Sequence, residues 1–167
     1  MINTESGLVA TIGIKGLVIV NTKDAVLVAD KNYSQQVKTL VAQLKADNND
    51  LTNAHSLVYR PWGFYESLVM MPNFQVKHIM VKPGAQLSLQ MHHHRSEHWV
   101  VVKGTATVVN GEREFELPQN ESTFIPKETK HRLSNHTDDE LHIVEVQTGD
   151  YLGEDDIVRY EDIYQRT

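Results

Sequence analysis

The chain has 167 residues, enough for one domain with an appendage, and a chain of this size buries roughly 70% of its unfolded surface. Hydrophobic residues make up 40%, charged residues 23%, and the formal net charge is −6, which argues against a general nucleic-acid binder but leaves an anionic substrate open. There are no cysteines, so disulfides and thiolate metal sites are excluded, and any metal must be held by His, Asp, Glu, amide or backbone oxygen.

The chain starts MINTESGLVA, without a basic segment followed by an apolar one, and no apolar run approaches the roughly 20 residues of a membrane span. A cytoplasmic protein without a membrane partner is the expectation. Three short β segments come first: GLVATIGI (7–14), LVIV (17–20) and AVLVA (25–29). In YSQQVKTLVAQLKA (33–46), Val37, Leu40, Val41 and Leu44 form the i, i+3, i+4, i+7 stripe of an amphipathic helix, with Ser34 as its N-cap. That stripe is expected to pack on neighbouring strands. The polar stretch 46–56 reads as a linker.

From Tyr59 onward the pattern is β. Candidate strands are 74–82, 87–93, 98–103, 105–110, 113–117, 122–126, 131–135 and 141–147, separated by turns, with Asn110-Gly111 marking a tight hairpin. Many short strands at this spacing predict a mainly β sandwich or barrel.

The stretch SLQMHHHRSEHW (88–99) holds four of the nine histidines. Alternation along a strand puts Gln90, His92 and possibly His94 on one face and Met91 and His93 on the other. Glu97 follows after a turn and is able to reach back from the next strand. His131, opening a strand after PKETK, is the best fourth ligand. One amide oxygen, two imidazoles and one carboxylate suit a divalent ion: zinc foremost, with manganese, cobalt or magnesium as alternatives.

Gly84, Gln90-x-His92, Glu97 and Gly104 resemble the first cupin motif, with Gln90 in place of its usual first histidine. Pro126, His131 and Asn135 match the second more loosely. Asn120 and Glu128 replace two of its glycines, so a turn of altered shape is expected there. RPWGFYESL (60–68), 74–108, NESTFIP (120–126) and EVQTGDYLGEDDIVRYEDIY (145–164) resemble one family. It is the type II phosphomannose isomerase domain, the C-terminal part of bacterial bifunctional mannose-1-phosphate guanylyltransferase/mannose-6-phosphate isomerase. Residues 5–31 resemble the region between that family's two catalytic domains.

The resemblance implies a cupin jelly-roll barrel over 58–167, preceded over 1–57 by short β segments, a helix and a linker. It also implies metal-dependent interconversion of mannose 6-phosphate and fructose 6-phosphate, through an enediol, in the GDP-mannose and surface-polysaccharide pathway. The guanylyltransferase's Gly-rich nucleotide signature does not occur here, so GDP-mannose synthesis by this chain alone is not expected.

By motif position, Gln90, His92, Glu97 and His131 are the metal ligands. Arg95 is needed for activity, stabilising the enediolate or binding phosphate. His94 supports the site or carries a proton, while His93 and His98 face away. Lys103, Lys127, Lys130 and Arg132 are further cations, each more at home on the surface. The tail acids Glu154, Asp155 and Asp156 either orient basic groups or form a solvated turn. The general base stays open among a free His, a Lys and a metal-bound water. At the C-terminus Gln165 replaces the family's glycine before Arg166, which puts the shape of that tail in question. A phosphosugar substrate and a homodimer are the expected partners. The competing readings are a catalytically silent cupin, serving as an oligomerisation or sugar-binding module, and an iron dioxygenase, which Gln90 weighs against.

Overall fold

The structure, a computed structural model, describes residues 2–4, 9–22, 25–47 and 56–164. It contains two compact units, Met1–Ser56 and Leu57–Thr167. Among the described residues, no helix is long and apolar enough to cross a membrane.

In the first unit, β1 (Ile2–Thr4) runs parallel to β2 (Leu17–Asn21), which pairs antiparallel with β3 (Val26–Asp30). The strand expected over 7–14 is not formed at its described residues, 9–14. Ile12 there is 96% exposed and Gly13 has φ +70°, so the apolar run has neither burial nor an extended backbone. The expected helix is divided: a 3₁₀ segment, Lys31–Gln36, leads into α1 (Val37–Ala46). Ser34 lies inside the 3₁₀ turn, and Asp30 caps it instead, accepting the Asn32 N–H at 2.8 Å. The helical stripe is not sealed, since Leu40 and Val41 remain 46% and 40% exposed.

The second unit is a two-sheet antiparallel barrel. Six strands run in the order β11 (Ser122–Ile125), β8 (Arg95–Lys103), β13 (Leu141–Gly149), β6 (Phe74–Val81), β5 (Gly63–Met71), β4 (Leu57–Arg60). Five run in the order β10 (Arg113–Pro118), β9 (Thr105–Asn110), β12 (His131–Ser134), β7 (Leu89–His92), β14 (Ile157–Glu161). The hairpin at Asn110 closes through Gly111 and Glu112, with Asn110 opposite Arg113. β4, β5 and β14 go beyond the expected strands. The altered turn shape expected where Asn120 and Glu128 replace glycines is not seen in the backbone: Asn120 (φ 69°) and Glu128 (φ 60°) keep the left-handed conformation despite their side chains.

Alternation decides what the barrel encloses. On β6, β13 and β8 every second residue is buried, and the register aligns these inward residues in rows. One row is Ile79, Ile143 and Val101; the next is Lys77, Glu145 and Trp99; the next is Gln75, Gln147 and Glu97. The inner face therefore grades from apolar to ionic. Val81, Leu141, Val108 and Leu133 fill the apolar end. The ionic end holds the site.

Candidate metal centre and cavity

β7 stops at His92, residues 93–94 bend, and β8 starts at Arg95. Asp156 fixes that bend by accepting the backbone N–H groups of His93 and His94, each at 3.2 Å. His92 and Glu97 are thereby brought face to face on consecutive strands. His92 Nε2 is 3.0 Å from Glu97 Oε1, and His131 Nε2, from β12, is 3.6 Å from Glu97 Oε2. The two imidazole centroids are 5.0 Å apart. One ligand atom from each of the three residues lies within 4.8 Å of the others, and all three side chains are buried.

The proton positions follow from the partners. His131 Nδ1 lies 2.8 Å from the Thr129 carbonyl, which only accepts, so Nδ1 carries the hydrogen and Nε2 the lone pair. That Nε2 has no hydrogen-bond partner, and neither ring nitrogen of His92 has one; the Glu97 oxygen beside His92 lies off the N–H direction. Burial pushes His131 below the usual imidazole range, which keeps it neutral. Burial alone would raise Glu97, but His92, His131 and Arg95 outweigh it and hold the carboxyl well below its ordinary range. A buried carboxylate facing two orphaned imidazole nitrogens is a donor set that fits a divalent cation.

Glu97 is clamped from behind. Arg95 Nε (3.4 Å) and Gln147 Nε2 (3.1 Å) donate to Oε1, and Trp99 Nε1 (3.0 Å) donates to Oε2. Trp99 Nε1 and Gln147 Nε2 are also shared with Glu145, at 3.0 and 2.8 Å. Burial and the Glu97 charge push Glu145 well above the usual carboxylate range.

Gln90 sits directly opposite His131 in the β7–β12 register, so both project from the same face of the sheet. Its amide oxygen accepts the Ser88 hydroxyl at 3.1 Å, and it lines the cavity. Arg95 is on β8, 2% exposed, and also donates to the Gly153 carbonyl at 2.9 Å. His94 departs from the expected alternation because the strand ends two residues earlier. Its side chain is 53% exposed, with Nδ1 3.8 Å from Asp150 and the ring edge-on to Tyr151. His93 and His98 are exposed. Lys103, Lys127 and Arg132 pair with Glu140, Asp150 and Glu161, and Lys130 lies 4.1 Å over the Tyr160 ring. Gln165 and Arg166 lie outside the described residues.

The tail acids are not a uniform solvated turn. Besides Asp156, Glu154 grips Lys77 at 2.6 Å, and Asp155 accepts the Tyr151 hydroxyl at 2.7 Å. Residues that sequence reasoning leaves out complete the cavity: Arg60, Trp62, Lys77, Glu145, Gln147 and Arg159. The readable signal for two of them is parity, since Glu145 and Gln147 share the phase of Leu141 and Ile143.

Two family descriptions match the chain. "Mannose-6-phosphate isomerase C-terminal" covers residues 47–162, and "MannoseP isomerase/GMP-like beta-helix domain" covers 1–44. The chain is 53% identical over 167 residues to the alginate biosynthesis protein AlgA of Pseudomonas aeruginosa, covering 100% of this chain and 35% of that protein. It is 54% identical over 163 residues to the mannose-1-phosphate guanylyltransferase ManC of Salmonella typhimurium, covering 97% and 34% respectively. The chain thus spans about a third of the length of the curated relatives it matches. Among solved structures, the cupin domain of Schizosaccharomyces pombe Cnp3 superposes with a TM-score of 0.53 at 14% identity, covering 59% of this chain and 71% of that one. This last likeness establishes the barrel as a cupin fold.

Proposed function

The chain belongs to the mannose-6-phosphate isomerase C-terminal family, and from that premise we propose that it interconverts mannose 6-phosphate and fructose 6-phosphate, supplying GDP-mannose and surface-polysaccharide synthesis. The observation that carries this reading is the buried His92–Glu97–His131 cluster, with its unpartnered imidazole nitrogens, whose Glu97 lines a cavity together with Gln90.

The isomerisation moves a proton between C2 and C1 of the sugar through an enediol. When bound, a divalent ion, zinc foremost, supplies positive charge that polarises the carbonyl and offsets charge developing on the sugar oxygens. His92, Glu97 and His131 would hold it, with Gln90 as a neutral oxygen donor. Thr129 orients the His131 ring through its Nδ1–H. Arg95 acts through Glu97 as a positioning residue, because its guanidinium is bound to that carboxylate and to backbone. Glu145 and Gln147 line the same cavity as Gln90 and Glu97 and would meet the hydroxyls of a sugar bound there. The same reading has the chain act on a phosphosugar in the cytoplasm as a homodimer, with no nucleic-acid partner; a monomer by light scattering would contradict the dimer.

The test strips the protein with chelator, reconstitutes it with zinc, manganese, cobalt or magnesium, and supplies mannose 6-phosphate. Fructose 6-phosphate is expected only with metal, and its formation should fall to background in His92→Ala. Folded protein that stays inactive with every metal would instead mark a non-catalytic sugar-binding or oligomerisation module.

A further inference from the structure

Four cationic side chains line the cavity: Arg60, Lys77, Arg95 and Arg159. Two are committed. Arg95 is 2% exposed and bonded to Glu97 and the Gly153 carbonyl. Lys77 is 4% exposed and held by Glu154. The other two lie on the edge strands of opposite sheets. Arg60 ends β4, the last strand of the six-stranded sheet, with its guanidinium 5.5 Å over the Tyr65 ring. Arg159 is on β14, the last strand of the five-stranded sheet, exposed and without an ion pair or hydrogen bond among the described residues. The register sets Arg159 opposite Gln90, on the face that carries the ligands.

Trp62 adds an independent observation. It is 4% exposed and lines the same cavity, and its indole Nε1 has no hydrogen-bond partner. An indole N–H only donates, and burial without an acceptor is unfavourable. A ligand oxygen in the cavity would relieve it. Glu154, which also lines the cavity, is already paired with Lys77 at 2.6 Å and does not cancel the two arginines.

We propose that Arg60, Arg159 and Trp62 form a subsite for a phosphate monoester, seating the phosphate of the substrate while the sugar extends toward Gln90, His92, Glu97 and His131. The proposal rests on the phosphosugar reading above and assigns its phosphate to residues other than Arg95. Two planar guanidinium forks match the oxygens of a dianion, and the indole adds a neutral donor. In a chain of net charge −6, this local pair of cations is what admits an anion.

The zinc-loaded full chain is titrated with mannose 6-phosphate, mannose and inorganic phosphate, followed by calorimetry and tryptophan fluorescence. Mannose 6-phosphate is expected to bind at least about tenfold more tightly than mannose, with inorganic phosphate competing. Arg60→Gln and Arg159→Gln should each weaken mannose 6-phosphate about tenfold and leave mannose unchanged, and Trp62→Phe should weaken it less. Arg159 is exposed and unpaired, so Arg159→Gln keeps the fold, and thermal unfolding checks all variants. Equal affinity of the wild type for the two sugars overturns the subsite, as does undiminished phosphosugar affinity in the double arginine variant. Isomerase assays on the same samples separate the two claims. Turnover with unchanged KM in the double variant removes the subsite and keeps the isomerase. Arginine-dependent phosphosugar binding without turnover keeps the subsite and removes the isomerase.

Discussion

Glu97 accepts hydrogen bonds from Arg95, Trp99 and Gln147 while facing two imidazoles. A carboxylate so surrounded stays ionised despite full burial, which is what a ligand requires. The contribution of Arg95 is geometric as well as electrostatic, because its fork spans Glu97 and the Gly153 carbonyl. Lysine at this position keeps the charge and loses the fork. Arg95→Lys is expected to weaken zinc binding by about tenfold to a hundredfold, measured by competition with a chromophoric chelator. Unchanged affinity would show that Trp99 and Gln147 alone hold Glu97.

Two backbone positions, Glu128 and Gly63, constrain the barrel in opposite ways. Glu128 holds a left-handed backbone, φ 60°, and its N–H bonds the His92 carbonyl at 2.8 Å, tying this turn to the end of β7. That backbone costs a residue with a side chain roughly 1–2 kcal/mol, partly offset by the greater unfolded-state freedom of glycine. Glu128→Gly should therefore stabilise the protein by up to about 1 kcal/mol in urea unfolding; a loss of stability would mean the Glu128 side chain matters more than its backbone. Gly63 is the opposite case. It has φ +150°, and a Cβ there would overlap the Met80 carbonyl on the adjoining strand. Gly63→Ala must open the β5–β6 pairing, at an expected cost of about 3 kcal/mol. A wild-type urea midpoint would refute this.

Across the whole barrel, Lys77 on β6 and Glu154, just before β14, tie one sheet to the other. Burial pushes Lys77 down, but Glu154 and Glu145 outweigh it and raise the ammonium above its ordinary range; burial raises Glu154, but Lys77 outweighs it and lowers the carboxyl. The Glu154 contribution is therefore fully present above the unfolded glutamate value, about 4.3, and is lost as pH falls through the folded value. The Lys77 contribution is present below about 10.4 and is lost as pH rises through its folded value. Glu154 is about half exposed, so water screens the pair. Glu154→Gln is expected to cost about 1 kcal/mol at pH 7. Its urea midpoint should converge on that of the wild type once the pH has fallen below the folded Glu154 value, which lies under the ordinary glutamate range. A difference that persists in acid would assign the effect to packing rather than charge.

The sequence by itself determined the β class, the hairpin at Asn110-Gly111 and the spacing of Gln90, His92 and Glu97, because each is written within about ten residues and follows strand alternation. It left His94 on the wrong side, since only the folded chain shows that Asp156 captures the 93–94 bend and ends the alternation. It also left Lys77, Glu145 and Gln147 unread. In FQVKHIMV both parities carry apolar residues, and which face is inward depends on which face the opposite sheet covers. Arg60 and Trp62, around β4 and β5, lie about a hundred residues from Arg159 on β14. Closure of two sheets over one cavity is what gathers them, and no local pattern encodes it.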